Sequence, residues 1–156
     1  MGNKHIIESG EVQIMSTGTG LTHSEFNNSD IDPVNFLQIL ILPKKKDIQP
    51  RYQQERFNSD KRRNQFQLIV SPDGKKESIT INQDVYFSLI DLDKDCAISY
   101  QLHNIKNGIY LFVITGSVML GDQCLEQRDG AEVSNTQNVD LLAYADAQLL
   151  CIETPI

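Results

Sequence analysis

The 156-residue chain has no tryptophan, only three histidines and only three cysteines, and each shortage narrows what it can do. Cys96, Cys124 and Cys151 are odd in number, widely spaced and without a CxxC pair, which excludes a disulfide framework and a structural zinc site. All three read as buried free thiols of a protein kept in a reducing cytoplasm. The longest apolar run, 109–114, is far short of the roughly 18 residues that cross a bilayer, and the N-terminus shows no charged-then-apolar leader. Position 6 holds Ile where a myristoylation motif carries Ser or Thr. No stretch of ten residues carries an i, i+3, i+4, i+7 apolar stripe, so helix is a minor component. There is no GxxxxGK[ST] loop and no nucleophile-elbow serine, and Gly18-Thr19-Gly20 is too short for a dinucleotide fingerprint.

What is present is a chain able to bury a sizeable core, 40% hydrophobic and 22% charged, with a net charge of -7. The charge is segregated. Residues 44–76 hold ten basic and four acidic side chains, whereas 77–156 hold three basic and twelve acidic ones. That change of sign marks a boundary. Pro43, Pro50, Asn58, Ser59 and Asp60 make the basic stretch read as a linker lying over a surface, with Tyr52 and Phe57 as anchors and 52–57 as a single helical turn. The acidic whole does not point to nucleic acid as a partner.

Short runs rich in β-branched and aromatic residues, punctuated by Gly, Asn, Asp and Pro, predict strands at 11–15, 21–26, 36–42, 66–70, 78–81, 85–92, 96–102, 108–115, 117–120, 131–134, 139–144 and 148–153. Asn107-Gly108, Gly121-Asp122 and Asp129-Gly130 are turn chemistry between them. The fold class is therefore all-β with jelly-roll or cupin spacing. One constellation carries chemistry. His23 and Glu25 follow a Gly-rich turn two residues apart, which on a strand sends an imidazole and a carboxylate to the same face. Such a pair is half of a site for a divalent metal, and it equally suits a surface pair or a hydrogen-bonded pair.

The run Gly10-Glu11-Val12-Gln13-Ile14-Met15-Ser16-Thr17-Gly18-Thr19-Gly20-Leu21-Thr22-His23-Ser24-Glu25 resembles the motif that closes the N-terminal metal site of the pirin family of bicupins. Gln38 to Pro43, Pro50 to Phe57 and Leu68 to Gly74 are similar to that family's interdomain crossing, and Ile109 to Gly116 with Asp129 to Pro155 to its C-terminal cupin. The resemblance implies a partial N-terminal cupin at 1–43, a basic crossing at 44–76 and a complete C-terminal cupin at 77–156. It implies a divalent metal, iron foremost, held by His23 and Glu25, with Glu25 also able to take a substrate hydroxyl proton in a quercetinase-like dioxygenase reaction. The family draws two further histidines from a His-Pro-His-type motif upstream, and this chain looks like a pirin without the front of that cupin. The metal site is therefore expected to be incomplete. His5 and His103 read as rim and loop histidines rather than ligands. The expected partners are a second copy, in a homodimer through the incomplete N-terminal half, and a small aromatic ligand. Three readings follow: a metal-dependent dioxygenase, a non-catalytic cupin that binds a ligand or protein, and a remnant without activity.

Overall fold

The computed structural model describes residues 4–156. Its twelve strands form three sheets. The largest has six strands in the order β10 (Gly130–Val133), β7 (Asn107–Thr115), β12 (Ala147–Pro155), β5 (Tyr86–Leu92), β3 (Gln67–Ser71) and β4 (Ile79–Thr80). Four strands form the second, β6 (Ala97–Gln101), β11 (Asn138–Ala143), β8 (Ser117–Leu120) and β9 (Gln123–Glu126). The third is a ribbon of β1 (Glu11–Ser16) and β2 (Arg51–Arg56). No helix among the described residues is long and apolar enough to cross a membrane.

Strand parity explains how these sheets stack. Side chains alternate faces along a strand, and on β12 Ala147, Leu149 and Cys151 enter one core while Leu150 and Ile152 enter another. β7 repeats the division, with Ile109, Leu111 and Val113 on the first face and Phe112 and Ile114 on the second. The first core is closed from the opposite side by Tyr100, Val118, Leu125, Val139 and Leu141 of the four-stranded sheet. The second is covered by Phe57 and, in part, by Val12 and Ile14 of the ribbon. The centre of the six-stranded sheet is thus packed on both faces, most completely at β12, which fits the nearly unbroken apolar runs of β7 and β12, whereas Tyr110 on β7 and the edge strand β10 remain partly open. Gly116 makes the turn from β7 to β8 at φ +78°, where a Cβ would lie 2.0 Å from the backbone oxygen of Asp146.

Ten of the twelve expected strands are present, and the differences have physical causes. Expected strands at 21–26 and 36–42 do not form: both segments are irregular and largely exposed, because no neighbouring strand offers them a ladder of hydrogen bonds. Residues 52–57 are not a helical turn. β2 pairs in register with β1, from Glu11 opposite Arg56 to Ser16 opposite Arg51, and Phe57 then turns into the core. The basic stretch therefore carries strands β2 and β3. Strand β9, which was not expected, returns along β8 after the Gly121-Asp122 turn. Asn107-Gly108 does not form a turn but opens β7, where Asn107 is buried.

Candidate functional site

The segment between β1 and β2 carries His23 and Glu25 without secondary structure, and both are exposed. The strand geometry that would have put them on one face is absent. The segment is fastened at its far end instead: Gln83 Nε2 donates to the Leu42 carbonyl at 2.8 Å, the Lys44 amide donates to the Asn82 carbonyl at 2.8 Å, and Lys44 pairs with Asp84. Next to the pair, Asn27 Nδ2 donates to the Asp32 carbonyl at 2.7 Å and the Asp32 amide to Ser29 Oγ at 2.9 Å, a compact side-chain-to-backbone turn. The same segment carries exposed apolar side chains, with Phe26 86%, Ile31 90% and Leu40 92% accessible.

The donor types of His23 and Glu25 suit a divalent transition metal. Their number does not. Among the described residues no three His, Cys, Asp or Glu side chains come together as a metal site. The other two histidines are engaged elsewhere: His5 stacks on Tyr52 with ring centroids 4.6 Å apart, and His103 Nδ1 lies 2.8 Å from Glu153 Oε2. An imidazole and a carboxylate on an exposed segment do not by themselves hold a metal against water.

A denser polar cluster lies in the C-terminal half. Glu153 occupies the same face of β12 as Leu149 and Cys151, and its side chain is fully buried. Oε2 accepts from the His103 amide at 2.9 Å, from His103 Nδ1 at 2.8 Å and from the Tyr100 hydroxyl at 3.1 Å. Oε1 accepts from the Asn104 amide at 3.0 Å and from Asn107 Nδ2 at 2.7 Å. Burial alone would push this carboxyl up, but the bonds from His103, Asn104 and Asn107 outweigh it and hold the group below the usual carboxylate range. Burial, and then the nearby Glu153 charge, push the Cys151 thiol well above its ordinary value. Burial first, with Cys151 and Glu153 adding, does the same to the Tyr100 hydroxyl. Tyr86 stacks on the His103 ring at 3.9 Å and 4°, and Lys75 Nζ sits 4.7 Å from the centre of the Tyr86 ring.

Sequence reasoning missed this cluster. His103 is in a loop after β6, as expected, but its partner lies 50 residues away. A signal was available: Glu153 is the lone charge ending the run Leu149-Leu150-Cys151-Ile152, at the parity of its inward-facing members. The cysteines also divide differently from expectation. Cys151 is buried, but Cys96 is only partly so, and Cys124 is exposed because it sits at an outward position of the edge strand β9. Separately, a cleft of about 630 Å³ runs between β2 and β3, lined in part by Arg56, Phe57, Lys61, Phe66, Gln67 and Leu68; His23 and Glu25 do not line it.

Comparison with known proteins places both halves. Residues 68–154 match the family described as Quercetinase C-terminal cupin domain, and residues 1–41 match the family described as Pirin. The quercetin 2,3-dioxygenase of Escherichia coli K12 is 33% identical over 99% of this chain, and the pirin-like protein YhaK of the same strain is 29% identical over 99%. The crystal structure of YhhW from Escherichia coli superposes on 100% of this chain with a TM-score of 0.93 at 32% identity, covering 65% of YhhW. YhhW in complex with nickel(II) superposes on 99% of the chain with a TM-score of 0.85 at 29% identity. The chain spans 65% of the length of the curated dioxygenase it matches. With an all-β fold, a C-terminal cupin match over more than half the chain and an N-terminal match to the preceding segment, the chain belongs to the pirin family of cupin proteins.

Proposed function

We propose that this chain is a quercetinase-type pirin cupin in which His23 and Glu25 are metal ligands but form an incomplete centre within one copy. By the resemblance, the proposed chemistry is metal-dependent oxidation of a flavonol by dioxygen, the proposed ligand is a small aromatic bearing hydroxyls, and the proposed metal is a divalent ion, iron foremost, with the related YhhW seen in complex with nickel(II). The observation that carries the incompleteness is the donor count: two exposed donors on an irregular segment, with the remaining histidines committed to Tyr52 and Glu153. Glu25, as an exposed carboxylate, is the group proposed to take a ligand hydroxyl proton.

A second copy is the proposed cover for the N-terminal half. Phe26, Ile31, Leu40 and Leu42 stand between 78% and 92% accessible within one stretch of chain, and covering such exposed apolar side chains favours self-association.

Elemental analysis and light scattering on one untagged sample, followed by quercetin-dependent dioxygen uptake, test the proposal. Less than one metal per chain, lost altogether in His23→Ala, and no oxygen uptake by the monomer are expected. A monomer that holds a full equivalent of metal through His23 and consumes dioxygen with quercetin overturns the incompleteness. A monodisperse monomer at assay concentration removes the second copy.

A further inference from the structure

The cleft between β2 and β3 exists because the main sheet ends early on that side. β4 pairs only with Val70 and Ser71, so the first half of β3 has no strand beside it there among the described residues, and β2 of the ribbon supplies the facing wall. Its apolar lining is already in place. Phe57 and Leu68 are buried, and Phe66 is held edge-on against Tyr100 with ring centroids 4.9 Å apart. At about 630 Å³ the cleft has the size of a small-ligand site. On its wall Gln67 carries an unmet group: Oε1 is buried, and no donor among the described residues reaches it. Buried polar atoms are nearly always bonded, so an orphan on a cleft wall marks a place for a donor from outside the chain. Gln67 as a whole is only half-buried and the torsion that turns its amide is soft, so its C=O and NH2 can be presented to the cleft together. Three basic and two acidic side chains line the same space. Arg56 is paired with Glu8 and Glu11, and Lys61 with Glu77, which leaves Lys76 as the cation of the lining without an ion pair among the described residues. Lys76 and Glu77 are also consecutive non-glycine residues at φ +52° and +62°, a costly backbone of the kind that collects at ligand clamps.

We propose that this cleft binds an acylated apolar amino acid, free or at the C-terminal end of a peptide. A primary amide is the complement of a ligand amide: Gln67 Oε1 accepts the ligand's N–H and Gln67 Nε2 donates to its C=O. The ligand's apolar side chain lies against Phe57, Phe66 and Leu68, which hides surface from water on both partners. Its carboxylate pairs with Lys76. The lining carries one net positive charge, which fits a single carboxylate, and Glu55 opposes a second one. A phosphate would exceed that charge, and an apolar molecule without an amide would leave Gln67 unmet. The inference is independent of His23 and Glu25, which do not line the cleft.

Amide NMR of the full chain, titrated with N-acetylleucine, tests it. The side-chain NH2 signals of Gln67 should move saturably with millimolar probe. Gln67→Met keeps the length of the side chain and removes both amide groups, so it should weaken binding about tenfold, the worth of two neutral hydrogen bonds, without lowering the thermal midpoint, because the buried orphan goes with it. Lys76→Gly suits the positive φ and so keeps the fold, and should weaken binding about threefold, the worth of one exposed ion pair. N-acetylleucinamide, which lacks the charge, should bind wild type and Lys76→Gly alike. Acetyl-Ala-Ala-Leu separates the two sources: affinity at least equal to that of N-acetylleucine assigns the site to peptide ends, and its rejection assigns the site to the free acylamino acid. Gln67 signals indifferent to N-acetylleucine at tens of millimolar, or affinity undiminished in either variant, overturns the proposal. A Gln67→Met protein that loses stability overturns it as well, by showing that the amide has a partner inside the fold.

Discussion

Replacing Glu153 by Gln is nearly isosteric, yet it should be among the most damaging single changes in the molecule. The wild-type carboxylate accepts five hydrogen bonds with two oxygens, three on Oε2 and two on Oε1. A glutamine offers one acceptor oxygen and one NH2. With the NH2 in place of Oε2, Tyr100 can turn its hydroxyl and His103 can exchange tautomers, but the His103 backbone N–H faces another donor. With the NH2 in place of Oε1, Asn107 can flip, but the Asn104 N–H is orphaned. Either way one backbone donor loses its partner, at about 1–3 kcal/mol. The surviving bonds also lose the charge that makes them roughly twice as strong as neutral ones. Together these give about 2–4 kcal/mol at pH 7, a fall of about 1–2 M in the urea midpoint at an m value of about 2 kcal/mol/M. Because the folded carboxyl is held below its unfolded value, its contribution is fully present above about pH 4.3 and is lost as pH falls through the folded value. The gap between wild type and Glu153→Gln should therefore close in acid. Urea unfolding followed by circular dichroism at pH 7 and pH 3 measures both. A difference under about 0.5 kcal/mol at pH 7, or one that widens at pH 3, would refute the reasoning.

Leu149→Ala removes a side chain with no accessible surface from the face of β12 that lies between the two larger sheets, and should lose about 2–5 kcal/mol in the same urea assay. Gly116→Ala adds a Cβ that would sit 2.0 Å from a backbone oxygen at a φ of +78°, and should lower the thermal midpoint by several degrees, with a loss of over about 2 kcal/mol. Lys61→Ala breaks an ion pair whose side chains are 63% and 86% accessible, and should change urea stability by no more than about 0.5 kcal/mol.

Most of the C-terminal half was legible because its strands, β9 apart, carry their own pattern. β5, β7, β11 and β12 alternate or run apolar over the lengths expected, and turn residues lie between several of them. What escaped were features set by neighbours. β2, Arg-Tyr-Gln-Gln-Glu-Arg, has almost no apolar signal and is a strand because β1 pairs with it over six positions. The segments at 21–26 and 36–42 have strong strand composition and no ladder to join, so composition misled there. Asn107-Gly108 has the chemistry of a hairpin turn, but Asn107 is drawn inside by Glu153, a partner 46 residues away. The His23 and Glu25 pair was legible only as residue types. Its geometry depends on a strand that the described structure does not form.

The place of β12 bears on how the chain is made. It lies between β5 and β7 and pairs with both over most of its length, yet both are synthesised before it. Until residues 147–155 leave the ribosome, β5 joined to β3 and β7 joined to β10 are two separate pieces, each ending in an open edge of unpaired backbone N–H and C=O groups. The protein cannot assemble its main sheet progressively during translation. A nascent chain paused before β12 is therefore the form most exposed to edge-to-edge aggregation and most dependent on a chaperone.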